Sequence, residues 1–275
     1  MGLVGRDEPV VDPSHGLPLA AGRTAEIYPW GEGMVLKLFY AWFSPEDVEY
    51  EAHIASAVHA AGLRVPAVGA IIKVDGRFGL IYERLQGVSP LDEMRAKPWT
   101  LGRYSRLLAD LQAEIHAAPA PHGIPRLKEK LERKIQKAPG IRDGVRDALL
   151  EALELLPDGN GLCHGDFHPG NVILTVSGPV VIDWIDAAIG APWADIARTR
   201  VLIQGEIESK GLISLFERLI FGWGHRAYQK RTSELQPAEN DNPAWLPVVA
   251  AARLSEGIEE LAPWLLRQAE TILMN

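Results

Sequence analysis

Between Leu162 and Asp195 the chain reads LCHGDFHPGNVILTVSGPVVIDWIDAAIGAPWAD, the stretch richest in groups able to do chemistry. An apolar run through Gly161, Leu162 and Cys163 enters a polar loop, His164 to Asn171, and leaves it as Val172-Ile173-Leu174. A Ser177-Gly178-Pro179 turn follows, then Val180 to Asp183. The pattern predicts a hairpin with Pro179 at an edge, where no ladder donor is needed. Asn171 and Asp183 then stand near its open ends and can meet in space, and Asp166 joins them from the loop. Hard oxygen donors, few and partly neutral, suit Mg²⁺, which keeps waters and shares its shell with substrate phosphates. The remaining carboxylate, Asp166, is left to orient a hydroxyl. Phosphoryl transfer needs that combination, because it gains most from positioning the acceptor and neutralising charge on the transferred group.

Two other readings compete. The loop could be an ordinary surface turn, although His, Asp, His, Pro, Gly and Asn before a buried strand make an unusual one. His164, Asp166 and His168 alternate, so a zinc-dependent hydrolase is the sharper rival. Cys163 reads as a packed core thiol.

HGDxxxxN followed by a hydrophobic strand ending in IDW resembles the aminoglycoside phosphotransferase and choline kinase family, relatives of protein kinases. Protein kinases carry the equivalent HRDxxxxN loop and DFG aspartate. The resemblance implies that Asp166 is the catalytic base and that Asn171 and Asp183 hold Mg²⁺. It makes His164 a structural loop residue, and Asp195, in APWADIA, a brace that holds the loop by hydrogen bonds. ATP, or GTP, is the implied phosphoryl donor. A nucleotide-binding pseudokinase would lack one of the lysine, base or metal residues, and none is missing.

The elements that must position these groups begin upstream. Leu17–Ala21, Thr24–Tyr28 and Met34–Phe39 read as strands, with Pro29 to Gly33 as a turn. Ser44-Pro45-Glu46-Asp47 is a helix start and Gly62 a stop. On that helix Val48, Ala55 and Val58 share one arc at 100° per residue, and Glu51 falls inside it. A carboxylate facing a core wants a cation. Lys37, alone among apolar neighbours in the preceding strand, is the natural partner. A structural salt bridge would account for the pair; the family resemblance makes it the lysine that binds α- and β-phosphates and the glutamate that holds it. Gly22-Arg23-Thr24 occupies the place of the glycine-rich loop with only one glycine. After Pro66, two strands joined by Asp75-Gly76 form a hairpin. The resemblance places a hinge at Glu83 to Leu85, whose main chain would meet a purine, and Gln86 to Pro90 reads as a linker.

The remainder reads helical. Leu101, Tyr104, Leu108, Leu111 and Ile115 mark a long helix under the loop, and Leu127, Leu131 and Ile135 another whose Lys128, Lys130, Lys134 and Lys137 make a solvated face. Ile141 to Leu156 forms a third, and two helical regions, about 207–229 and 244–273, follow Asp195. Pro263 is expected to kink the last. Gly222 to Ala227 matches the dinucleotide pattern GxGxxA, but inside a helical period and after no strand, so it is rejected. Glu256, Glu259 and Glu260 read as a solvated face able to attract an ammonium group. Asp186 and Trp184 are better placed to touch a substrate, with Trp184 also readable as core.

A formal charge of −8 argues against nucleic acid or an anionic membrane as main partner, since those contacts need clustered Lys and Arg. One cysteine excludes an internal disulfide framework, and neither a signal-like start nor a long apolar run is present, so a cytoplasmic protein is expected. The whole reads as an α+β, protein-kinase-like bilobal fold. Residues 1–85 form a small nucleotide-binding lobe with a five-stranded antiparallel sheet and one helix. Residues 86–275 form a larger, mainly helical catalytic and substrate-binding lobe. The resemblance implies a small-molecule acceptor such as an aminoglycoside, amino alcohol or sugar.

Overall fold

The computed structural model describes residues 16–209, 215–236 and 241–274. Five antiparallel strands make the small lobe: β1 (Ala20–Ala21), β2 (Ala25–Trp30), β3 (Met34–Phe39), β4 (Val68–Val74) and β5 (Arg77–Glu83), in the order β1-β2-β3-β5-β4. Asp75 and Gly76 both have positive φ, 48° and 81°, the conformation a two-residue turn matched to strand twist requires. The Pro29 to Gly33 turn is shorter than expected, because Pro29 and Trp30 continue β2 and pair with Val35 and Met34. Strand β1 is only two residues long and ends its pairing at Ile27, so Pro29 has no neighbour on that side to donate to. The Leu17–Ala21 strand accordingly contracts to its last two residues.

Helix α1 (Pro45–Ala60) starts where its signals predict. The Ser44 hydroxyl accepts from Asp47 N–H at 3.1 Å while the Asp47 carboxylate reaches back to Ser44 N–H at 3.3 Å, a reciprocal cap. Val48 joins Ala25, Phe39 and Leu80 in the small-lobe core, whereas Ile54 and Val58 belong to the core of the large lobe. One helix therefore ties both lobes together.

The large lobe contains α2 (Pro90–Ala96), α3 (Leu101–Ala117), α4 (Leu127–Lys137), α5 (Asp143–Leu155), α6 (Pro192–Ser209), α7 (Leu215–Leu235), α8 (Trp245–Arg253) and α9 (Ala262–Glu270). Between α5 and α6 lie β6 (Gly161–Cys163), the hairpin β7 (Val172–Thr175) and β8 (Gly178–Val181), and β9 (Ala188–Gly190) paired with β6. Strand β9 was not anticipated; three residues ending in glycine carry almost no strand signal.

Three helix expectations need correction. Ser89-Pro90 is not linker but the start of α2, with the Ser89 hydroxyl accepting from Asp92 N–H at 3.1 Å. Helix α6 begins at Pro192, so Asp195 lies in its first turn rather than ahead of it. Pro263 kinks nothing, because the chain breaks at Gly257 (φ 67°) and Pro263 sits in the first turn of α9, where its missing N–H is harmless. The GxGxxA match lies inside α7, where a Cβ on Gly224 would collide with Leu101, so that glycine serves close approach to α3. None of the described helices is long and apolar enough to cross a membrane.

Candidate functional site

Strand β6 delivers the chain into the 164–171 loop, and buried groups on three sides hold the loop's shape. His164 is fully buried: Nδ1 accepts from Asp166 N–H at 3.2 Å, so Nε2 is the donor to Ile182 O at 3.1 Å. Its ring lies 4.5 Å from that of Trp184, which is core and donates to Val181 O. Both His164 nitrogens are thus engaged, and His168 Nδ1 accepts from Gly170 N–H at 3.1 Å. The zinc assignment finds no support in this arrangement. Among the described residues no group of three or more His, Cys, Asp or Glu is placed to hold a metal ion.

Helix α6 grips the loop from below. Asp195 Oδ1 accepts from Gly165 N–H at 2.7 Å, Arg198 Nε donates to Gly165 O at 2.9 Å, and the Thr199 hydroxyl donates to Phe167 O at 2.9 Å. Positions i, i+3 and i+4 share one helix face, so a single turn supplies all three. Asp195 Oδ2 in turn accepts from Gln112 at 2.9 Å and His116 at 3.0 Å on α3. Burial pushes the Asp195 carboxyl up, but these bonds outweigh it and hold it down to about 2. Gly165 has φ 80°, and a Cβ there would run into the Asp186 carbonyl. Arg198, Thr199, Gln112 and His116 all escaped the sequence reading; the one available signal was their three- and four-residue spacing around Asp195 and along α3.

Asp166, Asn171, Asp183 and Lys37 come together above this brace. Asn171 Nδ2 donates to Asp166 O at 3.0 Å, which leaves its carbonyl oxygen as a ligand atom, and Ile182 N–H donates to Asn171 O at 3.0 Å, closing the hairpin mouth. Asp183 follows with φ 64°, a left-handed conformation that a non-glycine residue adopts only where its surroundings impose it. Its Oδ1 lies 3.0 Å from Lys37 Nζ, which also meets Glu51 Oε1 at 2.7 Å; the Tyr82 hydroxyl donates to the same Glu51 oxygen at 2.9 Å. Burial opposes the charge on Lys37, yet Asp183 and Glu51 overcome it and hold the ammonium above its ordinary value. Burial likewise raises Asp183, and Lys37 more than reverses this. A neutral amide oxygen together with a carboxylate is a donor set that fits Mg²⁺.

The other anticipated residues divide. Gly22 N–H donates to Ala25 O at 2.9 Å and Thr24 O accepts from Tyr40 N–H at 2.9 Å, so both shape the tight turn between β1 and β2. A Cβ on Gly22 would meet only Ala25 O, at 3.7 Å, so nothing there demands glycine. Glu83 is bonded to the start of β4: its N–H donates to Ala67 O at 2.9 Å and its carboxylate accepts from Ala67 N–H at 3.1 Å. Leu85, two residues on, is half-buried.

Two surface expectations are overturned. Lys130 and Lys134 are not a solvated face, for both turn onto Asp186, at 3.4 Å and 3.1 Å. Burial raises the Asp186 carboxyl, and Lys134, Lys130 and Arg198 together bring it well below its usual range. Glu256 does not stand with Glu259 and Glu260 either. Gly257 turns the chain between them; Glu259 and Glu260 are exposed, while Glu256 meets Arg198 at 2.6 Å, Arg253 at 3.7 Å, Lys134 at 3.8 Å and Arg23 at 3.9 Å.

The model of the phosphotransferase enzyme family (APH) matches residues 18–232. No curated protein matches by sequence at a significant level. Among solved structures, a thermostable mutant of the aminoglycoside phosphotransferase APH(4)-Ia, in ternary complex with AMP-PNP and hygromycin B, superposes with a TM-score of 0.64 at 20% identity, covering 94% of this chain and 92% of that one. The amicoumacin kinase hAmiN, in complex with AMP-PNP, Ca²⁺ and Ami, gives 0.61 at 16% identity over 96% and 89%. A choline/ethanolamine kinase family protein from Mesorhizobium loti gives 0.58 at 15% identity over 96% and 90%. A kinase-like fold, a lysine of the small-lobe sheet set against the HGDxxxxN and IDW segments, and a family model spanning most of the chain agree, and the chain belongs to the phosphotransferase enzyme family.

Proposed function

We propose that the protein transfers the γ-phosphoryl group of a purine triphosphate, ATP or GTP, to a hydroxyl of a small molecule. The observation that carries the reading is the 3.0 Å contact between Lys37 and Asp183, residues 146 apart in sequence, which brings a small-lobe cation to the hairpin end that Ile182 N–H ties to Asn171. Asp166 accepts the hydroxyl proton and aims the oxygen at phosphorus. Its carboxylate is held by Arg198 at 3.3 Å, and the loop under it is fixed by Asp195 and His164. Lys37, aligned by Glu51, pairs the nucleotide phosphates, and the hinge main chain at Glu83 and Leu85 takes the purine, with the Gly22 to Thr24 turn above. Asn171 and Asp183 would hold Mg²⁺, which supplies charge neutralisation on the phosphates when bound.

Nucleotide consumption with Mg²⁺, measured across aminoglycosides, amino alcohols, hydroxy acids and sugars, tests the proposal. Stimulation by an acceptor should fall by about 10²–10⁴ in Asp166→Asn, the usual worth of a positioned general base. Mg²⁺-nucleotide affinity should survive in Asp166→Asn and drop in Asp183→Ala. Equal loss of binding in both variants would overturn the division between base and metal ligand.

A further inference from the structure

The acceptor side of the loop is not built for a polycation. A cavity of about 220 Å³ opens between α2, α3, α6, α7 and the loop residues His168 and Pro169, room for an organic group rather than a single water. Leu101, Leu108, Leu202, Ile203 and Ile207 give it an apolar body. His168, whose Nε2 stands 3.9 Å from Asp166 Oδ2, joins it to the site, and Arg253 belongs to its wall.

Arg253 is the unusual member. Its residue is 8% exposed, yet Nε and Nη1 are buried and make no hydrogen bond. The carboxylate nearest its Nε, Glu256, lies at 3.7 Å, beyond hydrogen-bond reach, and is drawn to Arg198 at 2.6 Å instead. Arg253 also lines a second, smaller cavity beside Lys130, Lys134, Asp186 and Arg198. Around this corner Arg23, Lys130, Lys134, Arg198 and Arg253 outnumber Asp166, Asp186, Asp195 and Glu256. Every one of those carboxylates already has a partner, Asp195 among Gln112, His116 and Gly165 and the others on cations. A guanidinium in the cavity wall that is short of hydrogen-bond partners favours an anion there, and its fork fits a carboxylate or phosphate.

We propose that the acceptor is an amphipathic anion, a hydroxyl compound with an apolar body and a carboxylate or phosphate group that Arg253 binds. The assignment rests on the phosphotransfer reading above. The acceptor's hydroxyl oxygen bonds to the γ-phosphorus as the bond from that phosphorus to the β,γ-bridging oxygen breaks. The bond pair leaves with the nucleoside diphosphate, and the hydroxyl proton goes to Asp166.

Calorimetry on one preparation separates the two readings. Mg²⁺-AMP-PNP is titrated first; absence of binding removes the phosphotransfer reading itself. The loaded protein is then titrated with hydroxymethylbenzoate, hydroxydecanoate, the methyl esters of both, hydroxyhexyl phosphate, and kanamycin as polycation. At least one anion should bind roughly tenfold tighter than its ester or than kanamycin, the worth of a charged hydrogen bond. The carboxylate and phosphate arms tell which anion is preferred. Arg253→Met should abolish the preference without changing Mg²⁺-AMP-PNP affinity, and Arg253→Lys should keep part of it. Should Arg253→Met not fold, the acid-to-ester ratio in wild type and Arg253→Lys decides. Nucleotide binding with no anion bound, or with esters or kanamycin bound as tightly, overturns the proposal.

Discussion

Lys37 shares Glu51 and Asp183 in a corner where its own side chain is 13% exposed and that of Glu51 only 3%. Removing one partner from a buried pair leaves the other charge uncompensated, which costs about 3–5 kcal/mol. Lys37→Met is therefore expected to lower stability by about 3 kcal/mol, read from urea midpoints, because Tyr82 alone remains to Glu51. It should also weaken Mg²⁺-nucleotide binding. The double variant Lys37→Met with Glu51→Gln separates these effects: much of the stability should return and none of the nucleotide affinity. Recovery of both would make the lysine a purely structural cation.

Among the elements, helix α6 keeps the 164–171 loop in shape through Asp195, Arg198 and Thr199. The unfolded carboxyl titrates near 3.8 and the folded one near 2, so its contribution is fully present above about pH 4 and is lost as pH falls through about 2. The shift corresponds to about 2 kcal/mol. The gap in urea midpoint between wild type and Asp195→Asn should accordingly be wide at about pH 6 and narrow toward about pH 2. A gap independent of pH would mean that the carboxylate charge is not what braces the loop. Gly165→Ala strikes the same contact from the other side. Its φ of 80° and the Asp186 carbonyl leave no room for a methyl, so a cost of about 1–3 kcal/mol and a lower kcat are expected, with nucleotide affinity little changed.

Much of this machinery was legible because local rules and tertiary demands coincide. Glu51 interrupts an apolar arc, Ser44-Pro45 is a strong helix start, Asp75-Gly76 is a strong turn, and the β7–β8 hairpin is signalled by its own residues. What was illegible depends on contacts between distant segments. Arg198 and Thr199 read as ordinary helix until Gly165 and Phe167 are placed above them. Gln112 and His116 sit in the period of α3 and gain meaning only from Asp195. Glu256 was grouped with Glu259 and Glu260 by their i, i+3, i+4 helical spacing, which the left-handed Gly257 between them destroys.

Contacts of several kinds couple the lobes before any ligand binds, among them the Arg23–Glu256 pair at 3.9 Å and the Arg64 bond to Ser177 O at 3.1 Å. Helix α1 places Ile54 and Val58 in the large-lobe core, and the Lys37–Asp183 ion pair joins the sheet to the loop. A nucleotide in the proposed site adds to these, and a ligand that binds only the folded state stabilises it by RT ln(1 + [L]/Kd). At a hundredfold excess over Kd, Mg²⁺-AMP-PNP should add about 2.7 kcal/mol, visible as a rise in Tm. Asp166→Asn should show the same rise if Asp166 acts on the acceptor as proposed. Asp183→Ala should show little at equal concentration, although its unliganded Tm falls only by what the partly exposed Lys37–Asp183 pair contributes, on the order of 1 kcal/mol or less after solvent screening. An equal nucleotide-dependent rise in Asp183→Ala would place the metal and phosphates elsewhere, and with them the assignment of Asn171 and Lys37.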